Sequence, residues 1–460
     1  MKYPNHKART IHSRALLTTA LFLFLASRIV NAQSKQESFV PFDSFLEATR
    51  TATSGDYLQQ STNKVKDAQA FEEMRRYILN LYEGVGVSHS FLLDGDHFDC
   101  VKIEQQPSVR IQGLRSVAAP PPASELSELF QDSGEPAQAP SGSLQVAAGE
   151  MDEFGNARNC ETGTIPMRRL TLEETSRFAT MKNYLEKGPA GAGQAPTAEP
   201  GVSSAAAAHK YSFTFQQVNN LGQTDTLSVW KPYVNTSQGE IFSLAQSWTV
   251  GTTPVLQTAE VGWQNYPAFY GNEYSRLFIY WTADGYNKTG CYNLTCPAFV
   301  QTGKGWYLGA RFKNYSTVGG TQYEFTARYY FYQGNWWLGL GSSPANATWF
   351  GYYPGKLYGT GPMASYSQLL EFGSESVGSS PWPPEGSGKW PSTGWTSAAY
   401  QRTLYYWAYP GAAATWDNLT ADQPSPNCYK IAGPYWGGWT PPSNYWGVYF
   451  YFGGPGGNGC

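Results

Sequence analysis

Carboxylates are the groups best suited to acid–base chemistry in the second half of this chain. After residue 210 the sequence contains eleven acidic residues and no histidine. A Ser-His-Asp or Cys-His site formed within this part is therefore excluded, and no GxxxxGK[ST] loop for a nucleotide phosphate occurs. Proton transfer near neutral or acid pH must come mostly from these carboxylates. They are Asp225, Glu240, Glu260, Glu273, Asp284, Glu324, Glu371, Glu375, Glu385, Asp417 and Asp422.

Glu260 is unusual among them because it lies in an apolar stretch, LQTAEVGW, at residues 256–263. Ala259, Val261 and Trp263 alternate with it and would face a core, so Glu260 would point away from that core. One interpretation is an exposed strand residue. The other is a concave sheet face lined with aromatic side chains, where burial and a second carboxylate would raise the pKa of one of the pair.

The elements that would position these carboxylates are strands. Tyr211, Phe213 and Phe215 fall on one face of a strand with period two, and Glu324 falls opposite the aromatic residues of its own strand, where we expect it to be solvated. A Gln-Gly-Asn turn at residues 333–335 predicts a hairpin. Because no long helical period appears, the sequence predicts an antiparallel all-β sandwich or barrel of about 250 residues.

The chain before residue 210 has a different composition, since all 16 Trp lie after it. Residues 33–187 predict a small α/β domain. Its apolar residues recur at helical spacing from Phe71 to Leu81 with Gly84 as a stop, residues 91–103 are extended, and a second helix spans residues 170–186 with a capping box at Thr171 and Glu174. Low-complexity stretches at 118–150 and 188–208 predict a disordered insertion and a protease-sensitive linker. A separate domain would then occupy residues 209–460.

The N-terminus has the pattern of a secretory signal peptide. Four basic residues precede an apolar run at residues 15–26, and Val30 and Ala32 suit a cleavage site after residue 32. The run is too short for a bilayer, which needs about 20 residues. We therefore expect residues 1–32 to be removed and the protein to be secreted. Six Asn-x-Ser/Thr sequons agree with secretion and predict glycosylation at Asn235, Asn287, Asn293, Asn314, Asn346 and Asn418.

The six cysteines suit an oxidising compartment, where six thiols allow 15 pairings. The domain division suggests Cys100–Cys160 and leaves Cys291–Cys296 and Cys428–Cys460. A zinc site is disfavoured because the second part has no histidine and only four separated thiols, so we predict no metal and no cofactor. A formal charge of −3 gives no electrostatic argument for nucleic acid or a membrane surface as a partner.

Several motifs make the sequence recognisable. Residues 255–303 contain E-x-GW, P-x-x-YG, RLFIYWT-x-DGY and TGCYN-x-x-C-x-x-FVQ, flanked by SLAQSWTVG before them and GSGKWPSTGWTSAAYQRTL after them. These motifs resemble the neprosin family of secreted glutamic endopeptidases. The earlier stretches ILNLYEGVGVSHSF, FDCV and GTIPMRRLTLEE resemble the activation domain of that family. The resemblance covers most of residues 65–460, apart from the two low-complexity stretches.

The resemblance implies a proenzyme whose mature domain is a β-sandwich with two catalytic glutamates and which cleaves after proline. The first glutamate lies in E-x-GW and is Glu260. The second lies in a GGEV-like motif, here FGSESVG, and is Glu375, with Ser374 and Ser376 in place of a glycine and an apolar residue. Glu371, four residues earlier, is the alternative. The family's short disulfide loop matches Cys291–Cys296, and its second bridge matches Cys428–Cys460.

The sequence therefore predicts a glutamic peptidase that works at acid pH on peptide or protein substrates. One ionised glutamate would activate water while the other, protonated, would polarise the scissile carbonyl. Trp263 and Tyr266 could hold a proline ring by flat contact. The propeptide would cover the cleft of a monomer at neutral pH, acid would weaken that contact, and cleavage in the linker would free the sandwich. The alternatives are a glycosidase, which also uses paired carboxylates, and a non-catalytic cell-wall or carbohydrate-binding protein.

Overall fold

The computed structural model describes residues 38–125, 149–188, 209–440 and 444–460. Every described residue except Ser38 belongs to one compact unit, Phe39–Cys460. The predicted signal peptide, most of the predicted insertion and all but the first residue of the predicted linker lie outside the described residues. No helix within the described ranges is long and apolar enough to cross a membrane.

Residues 39–188, called the N-terminal segment below, form an α/β layer in which three strands make an antiparallel sheet in the order β1-β2-β3. Its helices are α1 Phe42–Thr51, α2 Ser54–Leu58, α3 Ala68–Tyr82, α4 Pro107–Ile111, α5 Leu172–Thr175 and α6 Met181–Leu185; its strands are β1 Val87–Leu93, β2 Asp96–Lys102 and β3 Thr164–Arg168.

The helix predicted around Phe71 and Leu81 is confirmed as α3. Asp67 caps it by accepting a hydrogen bond from the Ala70 N–H at 2.8 Å. Phe71 and Leu81 are both buried, as expected for the apolar face of an amphipathic helix. The predicted extended stretch at residues 91–103 is confirmed only in part, because it contains the end of β1, a turn at residues 94–95 and all of β2.

The single helix predicted over residues 170–186 is wrong, because the structure has two short helices there, α5 and α6. Thr171 does cap α5 through the Glu174 N–H at 3.2 Å. The Glu174 carboxylate, however, turns to Arg168 at 2.8 Å instead of completing the capping box. The backbone also leaves the helix at Ser176, whose carbonyl accepts from the N–H groups of Lys64 and Val65. These tertiary contacts outweigh the local helical preference.

Residues 209–460, called the sandwich below, form two antiparallel sheets, as predicted. One has the order β17-β4-β14-β6-β7-β8-β9 and the other β10-β13-β12-β11-β5-β15-β19-β18, with β16 beside β15. Their elements are β4 His209–Asn220, β5 Gly222–Ser228, β6 Phe242–Gly251, β7 Gln257–Asn265, α7 Pro267–Tyr270, β8 Arg276–Thr282, β9 Cys291–Tyr292, β10 Val300–Gln301, β11 Glu324–Tyr332, β12 Asn335–Gly341, β13 Thr348–Pro354, β14 Ser367–Val377, β15 Ala399–Tyr406, β16 Thr415–Trp416, β17 Thr420–Asp422, β18 Lys430–Thr440 and β19 Asn444–Gly453.

The core of the sandwich lies between the two sheets. Val261 and Trp263 of β7 point into it, and the Trp263 indole donates to the Ser228 carbonyl of the other sheet at 2.8 Å. The predicted hairpin is confirmed, with Tyr332 opposite Asn335. The prediction that Glu324 is solvated is wrong. It is buried and paired with Arg402 at 2.5 Å, because a buried carboxylate needs such a partner.

Two of the three predicted cysteine pairs are disulfides, Cys100–Cys160 and Cys291–Cys296. The third prediction differs from the structure, in which Cys428 and Cys460 are free thiols. They lie in hydrogen-bond contact, and burial together with the Cys460 thiol raises the pKa of Cys428 to about 12. The protonated thiol of Cys428 is therefore favoured over the thiolate.

The six predicted glycosylation sites differ in exposure. Asn287, Asn346 and Asn418 are exposed, and Asn235 and Asn314 are half-buried. Asn293 is only 6 % exposed, and its side-chain oxygen accepts from the Ile279 N–H at 3.1 Å. The structure contradicts glycosylation at Asn293, because a glycan needs an accessible amide. The other five remain predictions.

Candidate active site

Strand register places Glu260 and Glu375 on the same face of the seven-stranded sheet. Glu260 of β7 is paired with Trp248 of β6, which is paired with Glu371 of β14. Glu375, four residues further along β14, projects to the same side because side chains alternate along a strand. This surface, the cleft face, is the one turned away from the sandwich core. Here the N-terminal segment covers it, so Glu260 is fully buried rather than solvated.

Lys187, at the end of the N-terminal segment, joins the two predicted catalytic glutamates. Its Nζ lies 2.6 Å from Glu260 Oε2 and 2.8 Å from Glu375 Oε2. The ammonium also lies 5.4 Å from the centre of the Trp248 ring, within cation–π range. All three side chains are at most 3 % exposed. The two carboxylates therefore converge on one point.

Glu260 is held by donors from its own strand and from its neighbours. Its Oε1 accepts from the Thr258 hydroxyl at 2.8 Å and from the Tyr286 hydroxyl at 2.7 Å. Its Oε2 accepts from the Gln246 amide at 3.0 Å. Gly262 explains the E-x-GW spacing, because a Cβ there would meet the backbone of β6 at about 2.0 Å. The strand next to the site can approach this closely only at a glycine.

Glu375 is held by basic groups. His209, the first residue of β4, places its Nδ1 2.5 Å from Glu375 Oε1. Burial raises the pKa of Glu375, but the Lys187 ammonium and the His209 ring outweigh burial and hold this pKa below its ordinary value of 4.5. In turn, burial lowers the pKa of Lys187, and the attraction of Glu260 and Glu375 outweighs it, so that the pKa of Lys187 is raised.

Glu371, the alternative second glutamate, lies on the cleft face without such partners. Neither of its carboxyl oxygens has a hydrogen-bond partner among the described residues. Burial, followed by repulsion from Glu260, raises the pKa of Glu371 well above 4.5. Glu371 is therefore a neutral carboxylic acid at acid pH. Lys187 contacts Glu375, so the structure favours Glu375 over Glu371 as the partner of Glu260.

The aromatic residues suggested for substrate contact are only partly on this face. Trp263 points into the core, on the opposite side of β7 from Glu260, so that suggestion is wrong for Trp263. Tyr266 packs on Phe242 and on Phe178 of the N-terminal segment. Trp248 and Tyr286 do contact the lysine–glutamate group, because the Trp248 ring lies beside the Lys187 ammonium and the Tyr286 hydroxyl donates to Glu260.

Sequence reasoning missed Lys187 and His209. Both border the predicted linker, and an ion pair between residues 73 or 166 positions apart leaves no local pattern. For Lys187, the only available signal was a lone lysine at the end of a helical stretch and directly before the linker. Among the described residues, no group of three or more His, Cys, Asp or Glu could hold a metal ion.

The fold and site define an all-β sandwich with a buried carboxylate pair on one sheet face. The Neprosin family model matches residues 239–455, a range that contains Glu260 and Glu375. This chain therefore carries a domain of the neprosin family, as its motifs predicted.

Solved structures that match part of this chain include two of scytalido-glutamic peptidase, one with a transition state analog inhibitor and one with a peptide based transition state analog. They are 8 % and 7 % identical, with TM-scores of 0.30 and 0.29, and each match covers 53 % of this chain and 97 % of that chain. A third is SCP-B, a member of the Eqolisin family of peptidases, in complex with the tripeptide Ala-Ile-His. It is 6 % identical, with a TM-score of 0.28, covering 53 % of this chain and 96 % of that chain.

Proposed function

We propose that this protein is a secreted glutamic endopeptidase, made as an inactive precursor, that hydrolyses peptide bonds after proline at acid pH. The observation that carries the proposal is the contact of one Lys187 nitrogen with both Glu260 and Glu375. Two carboxylates that can share one ammonium ion can also share one water molecule and the carbonyl it attacks. The neprosin-family domain supports the choice of a peptidase over other hydrolases.

Hydrolysis begins once Lys187 has left the carboxylate pair. An ionised glutamate then takes a proton from water, which attacks the scissile carbonyl. The protonated glutamate donates a hydrogen bond to the carbonyl oxygen and later helps to protonate the leaving nitrogen. Two carboxylates this close do not both ionise in the acid range, which supplies one charged and one neutral member.

Hydrogen bonding supports Glu260 as the ionised base. When Lys187 leaves, Glu260 retains three neutral donors, from Thr258, Tyr286 and Gln246. Donors aimed at a carboxylate stabilise its negative charge. Glu375 would then be the acid, since Lys187, whose ammonium stabilises its charge in the precursor, leaves with the N-terminal segment.

The proposed preference for proline rests on the family resemblance and on two aromatic rings beside the carboxylate pair. Trp248 lies beside the Lys187 ammonium, and Tyr286 touches Glu260. A flat ring suits the apolar face of a proline residue. These two rings replace Trp263 as the candidates for this contact.

Latency in the proposal comes from the N-terminal segment acting as an inhibitor within the same chain. Lys187 occupies the position that the attacking water needs, and the Leu185 carbonyl accepts from the Tyr280 hydroxyl beside it at 3.2 Å. Residues 188–208 connect Lys187 to His209, so cleavage within them separates the inhibitor from the sandwich. The signal-like residues 1–32 and the exposed sequons support secretion.

The test compares substrates on protein cleaved within residues 189–208. We expect cleavage of blocked peptides after their single proline, with a maximum at acid pH and no release of sugar from oligosaccharides. Glu260→Gln and Glu375→Gln each lower kcat/KM by about 1,000-fold or more, because each removes a proton-transfer group. Glu371→Gln is the matched control and retains activity. Sugar release that depends on Glu260 would instead establish the glycosidase, and no hydrolysis of either substrate would favour a binding protein.

A further inference from the structure

A second charged contact joins the N-terminal segment to the cleft face, at Arg276. Arg276 is the first residue of β8, and its Nη1 lies 2.5 Å from Asp96 Oδ2 and 2.6 Å from the Gly309 carbonyl oxygen. Its guanidinium carbon lies 4.8 Å from the centre of the Tyr270 ring. Neither Nε nor Nη2 of Arg276 has a hydrogen-bond partner in the described part of the chain. A fully buried arginine therefore uses only one of its three nitrogens.

Strand register places Arg276 on the cleft face with the carboxylate pair. Arg276 is paired with Gln264, Gln264 with Leu244, and Leu244 with Glu375. Directly paired residues of antiparallel strands project to the same side of a sheet. Glu260 is paired with Tyr280, four residues along β8 from Arg276.

Sheet geometry gives the separation of Arg276 from the reaction centre. With strands about 4.8 Å apart and about 3.4 Å per residue, Arg276 lies about 14 Å from each of the two glutamates. An extended peptide covers that distance in about four residues. A substrate lying in the cleft therefore reaches Arg276 at a position about four residues from its scissile bond.

The carboxylate partner of Arg276 comes from the N-terminal segment, not from the sandwich. Within the described ranges, Asp96 is the only carboxylate in ion-pair distance of Arg276. Asp96 is shared with Arg168 of the same segment at 2.9 Å. Release of the segment removes this carboxylate and leaves a cation at the base of the cleft whose described sandwich contacts, Gly309 and Tyr270, are uncharged. An arginine that loses its buried partner strongly favours a new anion, and its planar fork suits a carboxylate.

We propose that Arg276 of the processed enzyme forms a subsite for a substrate carboxylate about four residues from the scissile bond. Asp96 occupies this subsite in the precursor in place of the substrate, as Lys187 occupies the place of the water. The inference rests on the proposed peptidase function and adds a preference for acidic peptides. The carboxylate is the side chain of Glu or Asp, or the free C-terminus of a short peptide.

The experiment measures kcat/KM of the processed enzyme on paired peptides at about pH 5.5, where a peptide glutamate is ionised. Each peptide has one proline and blocked ends, with Glu or Gln at one position three to five residues to either side of the bond. We expect one position at which Glu is preferred over Gln by about tenfold, a typical value for a charge-assisted bond. A further pair, with free or amidated C-terminus and Gln throughout, tests the terminal carboxylate.

Three variants test the assignment to Arg276. Arg276→Gln abolishes the preference for Glu over Gln, and its remaining cleavage of the Gln peptide shows that the variant folds. Arg276→Lys keeps part of the preference, because the charge remains without the fork. Arg311→Gln is the control, since Arg311 pairs with Asp94 of the segment at 2.5 Å and is paired with Arg276 in an isolated bridge. It keeps the full preference.

Equal rates on Glu and Gln peptides at every position, with both cleaved, would overturn the subsite and leave the peptidase intact. A preference that survives Arg276→Gln, or that Arg311→Gln removes equally, would also overturn it, because the effect would then come from the general field of the surface. No cleavage of either peptide by the wild type would refute the peptidase function and this inference together.

Discussion

Two of the ionic contacts that the structure describes between the N-terminal segment and the sandwich are clusters of opposite polarity. In the Lys187 cluster, the sandwich supplies the carboxylates Glu260 and Glu375 and the segment supplies the cation. In the Asp96 cluster, the sandwich supplies Arg276, and the segment supplies Asp96 together with Arg168 and Glu174. The first cluster covers the groups proposed to do chemistry, and the second covers a group proposed to bind substrate.

The clusters also differ in their response to acid. Burial raises the pKa of Asp96, but the attraction of Arg168 and Arg276 outweighs it and holds this pKa below its ordinary 3.8. The pKa of Glu375 is likewise held below 4.5. A carboxylate whose pKa is lowered in the folded protein stabilises that protein at pH values above the ordinary pKa of the group. This stabilisation is lost as the pH falls through the lowered pKa. As the pH falls, the Lys187 cluster therefore enters its sensitive range first, and it is the cluster that we expect to control opening.

Lys187→Met is expected to have the largest effect on latency. The change leaves two buried carboxylates without their cation, a loss of about 3–5 kcal/mol for a buried pair. The intact precursor should then cleave a proline peptide at least about 100 times faster than the wild type at about pH 5.5. The assay measures initial rates while gel electrophoresis shows that the chain stays uncut. Lys182→Met is the matched control, because Lys182 is 66 % exposed and its ion pair among the described residues is with Glu186, away from the carboxylate pair.

Asp96→Asn should weaken attachment of the N-terminal segment, and its effect should be smaller than that of Lys187→Met. The variant weakens attachment of the segment by about 2–3 kcal/mol, because two guanidinium groups lose the carboxylate between them. The pH at which opening begins should stay unchanged, since Glu375 is intact. Dissociation of the segment, measured by size-exclusion chromatography on precursor nicked within residues 189–208, checks both points. A shift in the onset of opening, with unchanged affinity at neutral pH, would contradict the separate roles of the clusters.

Glu375→Gln in the same nicked precursor should reduce the acid dependence of dissociation. Glutamine cannot titrate, so the segment should be held as weakly at neutral pH as the wild type holds it in acid. Wild-type attachment should weaken as the pH falls below about 4.5, through the window in which the lowered pKa of Glu375 lies. An unchanged profile in the variant would show that another group controls opening.

Glu371→Gln should have the smallest effect on the precursor. The raised pKa of Glu371 means that the folded protein keeps this group protonated, so glutamine replaces a neutral acid of the same size. The free energy of unfolding in urea should differ by less than about 1 kcal/mol at about pH 4.5. Above the ordinary pKa of 4.5 the unfolded chain releases this proton and the folded one retains it, so the wild type should lose stability relative to the variant as the pH rises.

The sequence predicted the parts of this molecule that have a local signature. Period two predicted the strands, Phe71 and Leu81 marked α3, and the E-x-GW and FGSES motifs led to Glu260 and Glu375. Contacts between distant elements were not predictable, because Asp96 and Arg276 are 180 positions apart and no periodicity links them. The split of the helix at residues 170–186 belongs to the same class, since the Ser176 carbonyl accepts from the distant N–H groups of Lys64 and Val65. The burial of Glu324 was also unpredictable, because its partner Arg402 comes from another strand.

Glu260 and Glu375 are proposed to act as one catalytic unit. A double-mutant cycle on the processed protein measures kcat/KM on a proline peptide for the wild type, Glu260→Gln, Glu375→Gln and the double variant. Residues that share one proton-transfer step are strongly non-additive. We predict that the double variant loses no more activity than either single one. Losses that multiply, or a single variant within tenfold of the wild type, would contradict a shared catalytic pair.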